Sequence, residues 1–486
     1  MRRFVFNNVV KLKRMLYMEI LGLYKNGNLK EELPKIPKKL IPDTNTSNRI
    51  RVFYEREILK EKIKFVLGLD YDKVKELELY EIADQLEDII NGTSPLLTKE
   101  PKIGVIKEVC NDCPGGRYYV TDLCKNCIAH SCIEVCPRNA IKIVENRAQI
   151  DYSKCVGCGL CASACPYGAI IKLERPCEKS CIPKALGRTD TSPIEVNYEK
   201  CAMCGACYIA CPFGAIEFPS QLLQVVHKLS KGDKMIAIFA PSAISQFGRK
   251  VSVQQFKKAL KIMGFKEVFE VAIGADMVAK KEAELFLKHG GPMLTSCCPA
   301  YVRFIKNDFP SLTKYISAVE SPMIMLARKI RKEYPGYNIV FIGPCLAKAL
   351  EASEKGLPDH VLTFEEIGAA FAVLRIEPAE CEPDELNKIP GVAWGFAASG
   401  GVSAAVKHYI REFAGEEKSE SLNLTVANGL EECKLVLEKL SNGRIDTDII
   451  EGMACDGGCI AGPGVLADPR VAKSFLSMFI KSEVGK

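Results

Sequence analysis

Apolar positions recur at helical spacing over residues 9–23, 52–67 and 74–90, so the first hundred residues predict helices. Pro34, Pro37, Pro42 and the polar run Asp43-Thr44-Asn45-Thr46-Ser47-Asn48 interrupt that pattern and predict a linker. From about Lys234 the texture alternates. Residues 235–240 form a continuous apolar run that reads as a buried strand ending in Ala-Pro-Ser. Residues 253–263 have helical spacing, and 338–343 read as a second buried strand running into Pro-Cys. Such alternation predicts an α/β domain whose chemistry sits at strand ends.

Between these halves a repeat takes over. Cys155-x2-Cys158-x2-Cys161-x3-Cys165-Pro166 recurs as Cys201-x2-Cys204-x2-Cys207-x3-Cys211-Pro212, each followed by an aromatic residue and Gly-Ala-Ile. A third copy, Cys124-x2-Cys127-x4-Cys132-x3-Cys136-Pro137, is two residues longer and ends in Arg-Asn-Ala-Ile. Two pairs, Cys110/Cys113 and Cys177/Cys181, are left over.

The chain has 486 residues, which corresponds to about three domains. Of its 23 cysteines, 16 lie between Cys110 and Cys211. A secreted disulfide framework is normally a short chain behind a signal peptide, whereas the first residues here (Met1-Arg2-Arg3-Phe4-Val5-Phe6) are basic and lack a long apolar core. No run of about 18 uncharged apolar residues occurs, so no membrane-spanning helix is expected. The chain reads as cytoplasmic, where thiols stay reduced and metal ligation is the natural use for so many. The net charge of +6 is uneven: residues 1–50 carry 11 Lys/Arg against 4 Asp/Glu, and residues 51–100 carry 8 against 12. A basic end could steer an acidic partner, although a solvated helix face is the plainer reading. Basic and aromatic residues do not interleave as on a nucleic-acid surface, and no Gly-rich dinucleotide fingerprint follows a strand.

The run C-x2-C-x2-C-x3-C-P is the bacterial ferredoxin spacing, in which three cysteines bind one [4Fe–4S] cube and the fourth crosses to a neighbour. Zinc uses two well-separated pairs instead. In the simplest pairing Cys211 joins Cys155, Cys158 and Cys161, while Cys165 joins Cys201, Cys204 and Cys207. Cys110, Cys113, Cys124, Cys127, Cys132, Cys136, Cys177 and Cys181 then make two further cubes. The alternative pairs the 124–136 repeat with the 155–165 repeat. Either way four cubes form a relay for single electrons, and something at its end must supply or consume them.

Five of the remaining seven cysteines fall in three motifs: Thr295-Ser296-Cys297-Cys298-Pro299, Pro344-Cys345-Leu346-Ala347-Lys348 with Glu351, and Glu451-Gly452-Met453-Ala454-Cys455-Asp456-Gly457-Gly458-Cys459. In this order behind a ferredoxin-like module, they resemble the three signature segments of the iron-only, or [FeFe], hydrogenases, over about residues 110–486. The resemblance implies an α/β catalytic domain (230–486) preceded by an α+β ferredoxin-like multi-cluster domain (101–220), with a helical accessory region (1–100) outside it. It implies reversible conversion of protons and electrons to dihydrogen at an H-cluster, a [4Fe–4S] cube joined to a diiron subsite bearing CO, cyanide and a bridging dithiolate. Position by position, Cys298, Cys345, Cys455 and Cys459 would hold the cube, with Cys459 as the bridge. Cys297 would be the proton-carrying thiol, and Lys348 would hold a cyanide. Met453 would pack on the diiron unit, with Pro241 and Ser242 at the other cyanide. Glu282, Ser317 and Glu284 would make the proton route. Implied partners are a ferredoxin-like electron carrier and diiron-site maturation proteins, with no nucleic acid and no membrane.

The sequence departs from the family at Gly343, where well-studied members have Met, at Asp456 and Pro463, which replace Pro and Gly, and at Ala300-Tyr301, which replace Gly-Trp. These departures point to a divergent subgroup. Two alternatives are a non-catalytic iron–sulfur protein of the assembly or prelamin-binding type and an electron-transfer subunit. Cys381 and Cys433 are expected as small buried apolar residues.

Overall fold

The computed structural model describes residues 7–43, 49–111, 113, 117–187 and 194–483. The N-terminal hexapeptide and residues 44–48 of the expected linker lie outside the described residues. Helix Asn8–Lys25 begins where the Asn7 side chain accepts the Val10 amide at 2.9 Å, and it buries Leu16, Ile20 and Leu21. Helix Arg49–Val66 buries Leu59 and Ile63. The periodic stretch 74–90 is not one helix but part of three short ones, Tyr71–Val74, Leu79–Asp84 and Leu86–Asn91. A capping box between Glu78 and Glu81 starts a new helix, and Gln85 leaves helical geometry. The first part of the proline-rich stretch is also not a bare linker. It forms helix Leu29–Glu32, the 3-10 turn Leu33–Lys35 and helix Ile36–Leu40. Pro34 and Pro37 sit in first turns, where a missing N–H is no loss, and Leu33 and Ile36 are fully buried.

The cysteine-rich segment is one ferredoxin-like lobe inserted into another. The inner lobe is closed by antiparallel pairing of Arg117–Val120 with Ile170–Leu173 and contains the hairpin Ile141–Val144/Arg147–Ile150. The outer lobe repeats this plan: Gly104–Val105 pairs antiparallel with Ile216–Glu217, and Leu186–Gly187 with Glu195–Val196. The leftover pairs are therefore two halves of a fourth repeat. Cys110-x2-Cys113 supplies its start and Cys177-x3-Cys181 its end, with the inner lobe between them.

The N-terminal helices bind the outer lobe to the C-terminal half. Lys62 donates to the Gly214 carbonyl at 2.6 Å and pairs with buried Glu217, and Lys13 meets the Tyr208 hydroxyl. Arg14 pairs with Glu365 at 3.1 Å, on the helix Phe364–Leu374 against which Asn8–Lys25 packs.

The C-terminal half holds two parallel sheets. One runs in the order Glu267–Glu270, Met235–Phe239, Asn338–Ile342, His360–Leu362, with Ile236 opposite Ile339 and Phe239 opposite Ile342. The other runs Met293–Leu294, Ile449–Met453, Leu424–Asn428, with Leu294 opposite Ile450. Met235–Phe239 and Ile449–Met453 are buried at every position, which is why their sequences are continuously apolar or small around one buried carboxylate, Glu451. Because the strands of each sheet are parallel, the segments after Phe239, Leu294, Ile342 and Met453 all leave carboxyl ends, where open α/β sheets form their sites. Cys433 is fully buried, but Cys381 is only partly so. Among the described residues no helix is long and apolar enough to cross a membrane.

Candidate iron–sulfur relay and active site

The sixteen ferredoxin-type cysteines gather in four groups of four. Cys136, Cys155, Cys158 and Cys161 line one small cavity, and Cys110, Cys113, Cys177 and Cys211 line another. Cys132 lies within electrostatic reach of Cys165, Cys124 and Cys127. Cys207 lies within reach of Cys204, Cys201 and Cys181. Each group thus takes three cysteines from one repeat and the fourth from its lobe partner, as the ferredoxin spacing requires. This corrects the simplest expected pairing. Cys211 does not join Cys155, and Cys165 does not join Cys201, because the two perfect repeats lie in different lobes.

The backbone four residues after each crossing cysteine turns its amide onto that sulfur. The amides of Ala140, Ala169, Ala185 and Ala215 donate to the sulfurs of Cys136, Cys165, Cys181 and Cys211 at 3.3 to 3.4 Å. Such N–H···S contacts stabilise negative charge on a ligating sulfur and tune the metal it holds. Sequence reading noted the repeated Ala-Ile without this role.

At the strand ends Cys298, Cys345, Cys455 and Cys459 converge: Cys455 is within electrostatic reach of Cys345, Cys298 and Cys459, and also of Cys204 in the outer lobe. The outer-lobe group thus abuts the strand-end one, and Pro463 packs over Gly205, between Cys204 and Cys207. Burial pushes the Cys345 thiol up to about 11 and the Cys204 and Cys459 thiols up to about 12. A bare thiolate is costly there, and a metal cluster supplies the positive charge that deprotonates it. Cys297, also buried, faces Cys298, Glu282, Glu451 and Cys459, and burial holds its thiol well above the usual range.

Lys348 is buried, with Nζ donating to the Cys297 carbonyl at 3.2 Å and to Glu351 at 2.8 Å. Burial opposes its charge, but Glu351 together with the sulfurs of Cys345 and Cys297 outweighs it and holds the ammonium above its ordinary value. Pro241 and Ser242 follow the strand Met235–Phe239, and the fully buried Ser242 Oγ has no partner among the described residues. An orphaned buried hydroxyl on a turn packed against Cys459–Ala461 fits a cofactor with hydrogen-bond acceptors. Met453 is buried at the end of its strand.

Glu282, on helix Ala272–His289, is fully buried and accepts the Ser296 amide and hydroxyl, each at 3.4 Å. Burial pushes it up to about 7, opposed by the hydroxyls of Ser317 and Ser296. Ser317 is buried beside it. Glu284 is not brought to this route. Two residues along a helix turn a side chain to the far face, and Glu284 is exposed, while the positions three and four after Glu282 are Leu285 and Phe286.

The departures from the family pattern have local causes. A side chain at Gly343 would strike the Phe341 ring 2.5 Å away, and one at Gly452 would strike Tyr301 at 2.3 Å. Tyr301 thus fills the space over Gly452, and Asp456 is held by the Asn428 amide at 2.6 Å. Sequence reading gave no role to Glu451, which lies fully buried and ties its strand to the start of helix Gly401–Glu420 by accepting the amides of Gly400 and Ser403, each at 2.8 Å. Its signal was a charged residue inside a buried strand.

A parallel α/β domain with cysteines at its strand ends, wired to ferredoxin lobes, defines an iron–sulfur protein of hydrogenase architecture. Residues 233–463 match the family model "Iron only hydrogenase large subunit, C-terminal domain", and residues 148–171 and 194–217 match the 4Fe-4S binding domain. The chain is 27% identical to Iron hydrogenase 1 of Clostridium pasteurianum over 387 residues, 68% of this chain and 67% of that protein. It is 28% identical over 383 residues to the Periplasmic [Fe] hydrogenase large subunit of Nitratidesulfovibrio vulgaris, 67% of this chain and 88% of that one. It is also 22% identical over 301 residues to the Nuclear prelamin A recognition factor of Homo sapiens, 49% of this chain and 66% of that one. The chain is thus a divergent [FeFe]-hydrogenase-like protein with iron–sulfur-binding domains.

Proposed function

We propose that the chain interconverts dihydrogen with protons and electrons, exchanging the electrons with a ferredoxin-like carrier through four relay cubes. The observation that carries this reading is the convergence of Cys297, Cys298, Cys345, Lys348, Cys455 and Cys459 at parallel strand ends, beside Cys204 of the relay.

Cys298, Cys345, Cys455 and Cys459 would hold the catalytic cube, with Lys348, Ser242, Pro241 and Met453 around the diiron subsite. When bound, the H-cluster supplies the redox centre and open position at which dihydrogen is made or split. Cys297 holds and moves a proton at its sulfur, and a thiol serves as general acid or base without being a ligand. Glu282, poised near neutrality, takes that proton on towards Ser317. Lys348 anchors an anionic group by a charge-assisted hydrogen bond.

The carrier docks at the inner lobe. Cys158 is exposed there, and eight large apolar side chains of that lobe, among them Ile128, Val156, Leu160 and Tyr167, face solvent. Residues 117–173 carry 7 Lys/Arg against 4 Asp/Glu, which favours an acidic partner.

The test is the infrared spectrum of protein matured anaerobically with the diiron-site maturation proteins, with hydrogen production measured alongside. Bands of metal-bound CO and cyanide and about 22 iron atoms per chain are expected. Full cube loading without those bands would instead favour the non-catalytic iron–sulfur role, a reading compatible with the likeness to the prelamin A recognition factor.

A further inference from the structure

The cavity formed by Cys110, Cys113, Cys177 and Cys211 contains a charged side chain that none of the motifs explains. Arg175 lines it, is 3% exposed, and has no hydrogen-bond partner at Nε or Nη1 among the described residues. It stands immediately before helix Pro176–Ser180, which carries Cys177. A buried guanidinium with unpaired N–H groups is costly, so its site suits an anion. No carboxylate pairs with it among the described residues.

Among the described residues the other relay groups have no equivalent: Arg147, within electrostatic reach of Cys124, is partly exposed and paired with Asp122 at 2.7 Å. Arg138 lines the Cys136/Cys155/Cys158/Cys161 cavity, but its side chain is exposed and water screens it. Arg303, near Cys201, is committed to the Cys201 carbonyl and to Glu354, each at 2.9 Å. The buried Lys62 is neutralised by Glu217.

We infer that Arg175 is the built-in counter-charge of the cube on Cys110, Cys113, Cys177 and Cys211 and makes it the relay cube most easily reduced. A cube bound by four thiolates is an anion, and reduction adds one electron and no proton, so a nearby buried cation favours the reduced form. Cys177 lies within electrostatic reach of Cys207, so this cube neighbours the one that abuts the catalytic cysteines. An electron resting there stands one cube away from that group, ready as the second of the pair that dihydrogen chemistry needs. The inference rests on the four-cube loading proposed above, not on hydrogen turnover.

The experiment is a potentiometric titration of the loaded full-length protein with dithionite, followed by electron paramagnetic resonance. Wild type, R175Q, R175K and C113S are compared, with iron content measured for each. One wild-type relay signal should appear at higher potential than the rest, and C113S should alter that same signal. R175Q should lower its ratio of reduced to oxidised cube at fixed potential at least tenfold, about 59 mV for one electron, while R175K changes it less and the other signals stay in place. If R175Q does not accumulate, R175M carries the same expectation. Identical titrations of R175Q and wild type, equal shifts in R175Q and R175K, or a C113S effect on a different signal would overturn the role of Arg175. A C113S protein with wild-type iron content and spectrum would instead overturn the cube itself.

Discussion

The inner and outer ferredoxin lobes share their cysteine spacing, their antiparallel closing pair and their alanine amides on crossing sulfurs, yet they occupy opposite environments. The inner lobe encloses a small core around Ile141, Ala148 and Ile170 and shows solvent an apolar surface and Cys158. The outer lobe is packed between the N-terminal helices and the strand ends of the α/β half, with Cys207 and Cys181 buried. Spacing therefore fixes which atoms bind metal. The surroundings fix how the cluster exchanges electrons and how much stability its lobe draws from neighbours.

The largest expected contrast is in electron flow. Cys204→Ser, at the group abutting the catalytic cysteines, should abolish hydrogen production from both a ferredoxin-type carrier and a small reduced dye. Cys158→Ser, in the inner lobe, should abolish the carrier-driven reaction and spare much of the dye-driven one. Equal losses with both reductants in both variants would erase the distinction between the lobes.

Stability should divide the same way. Lys62→Met leaves Glu217 buried without this partner and should cost about 3–5 kcal/mol in denaturant unfolding. The matching inner-lobe change, Arg147→Met, breaks a pair whose Asp122 is almost fully exposed and should leave the transition where it was.

Burial controls a third contrast, at the catalytic end. Glu282 binds its proton more tightly folded, at about 7, than its ordinary value of 4.5. Its contribution to stability is fully present below about pH 4.5 and is lost as pH rises through about 7. Glu282→Gln should remove a pH-dependent fall of about 3 kcal/mol over that window, and with it any rate limb near pH 7. Exposed Glu284→Gln should change neither curve. The smallest effect is expected on the inner-lobe surface: Leu160→Lys should raise the carrier KM and leave folding and dye-driven turnover unchanged.

Much of this was legible along the chain. The strand 235–240 and the helix 253–263 follow from apolar runs and periods that tertiary context does not override. The cysteine motifs were visible because four thiolates around one cluster impose short, fixed spacings. The stretch 74–90 misled because Glu78 and Glu81 can cap a new helix in the middle of a continuous apolar period. Glu284 misled because its neighbour in sequence, two residues from Glu282, is not its neighbour on the helix surface.

The sequence by itself determined the candidate donor atoms: sixteen cysteines at ferredoxin-type spacing, four at strand ends, one beside them, and a lysine at helical spacing from a glutamate. These are local chemistry, written in spacings of two to four residues. Only the tertiary structure decided which cysteine completes which group, that one lobe is inserted in the other, and that Arg175 is sealed against one set of thiols. Each of those depends on segments far apart in the chain meeting in space, and burial, which sets the cost of every charge, exists only once they have met.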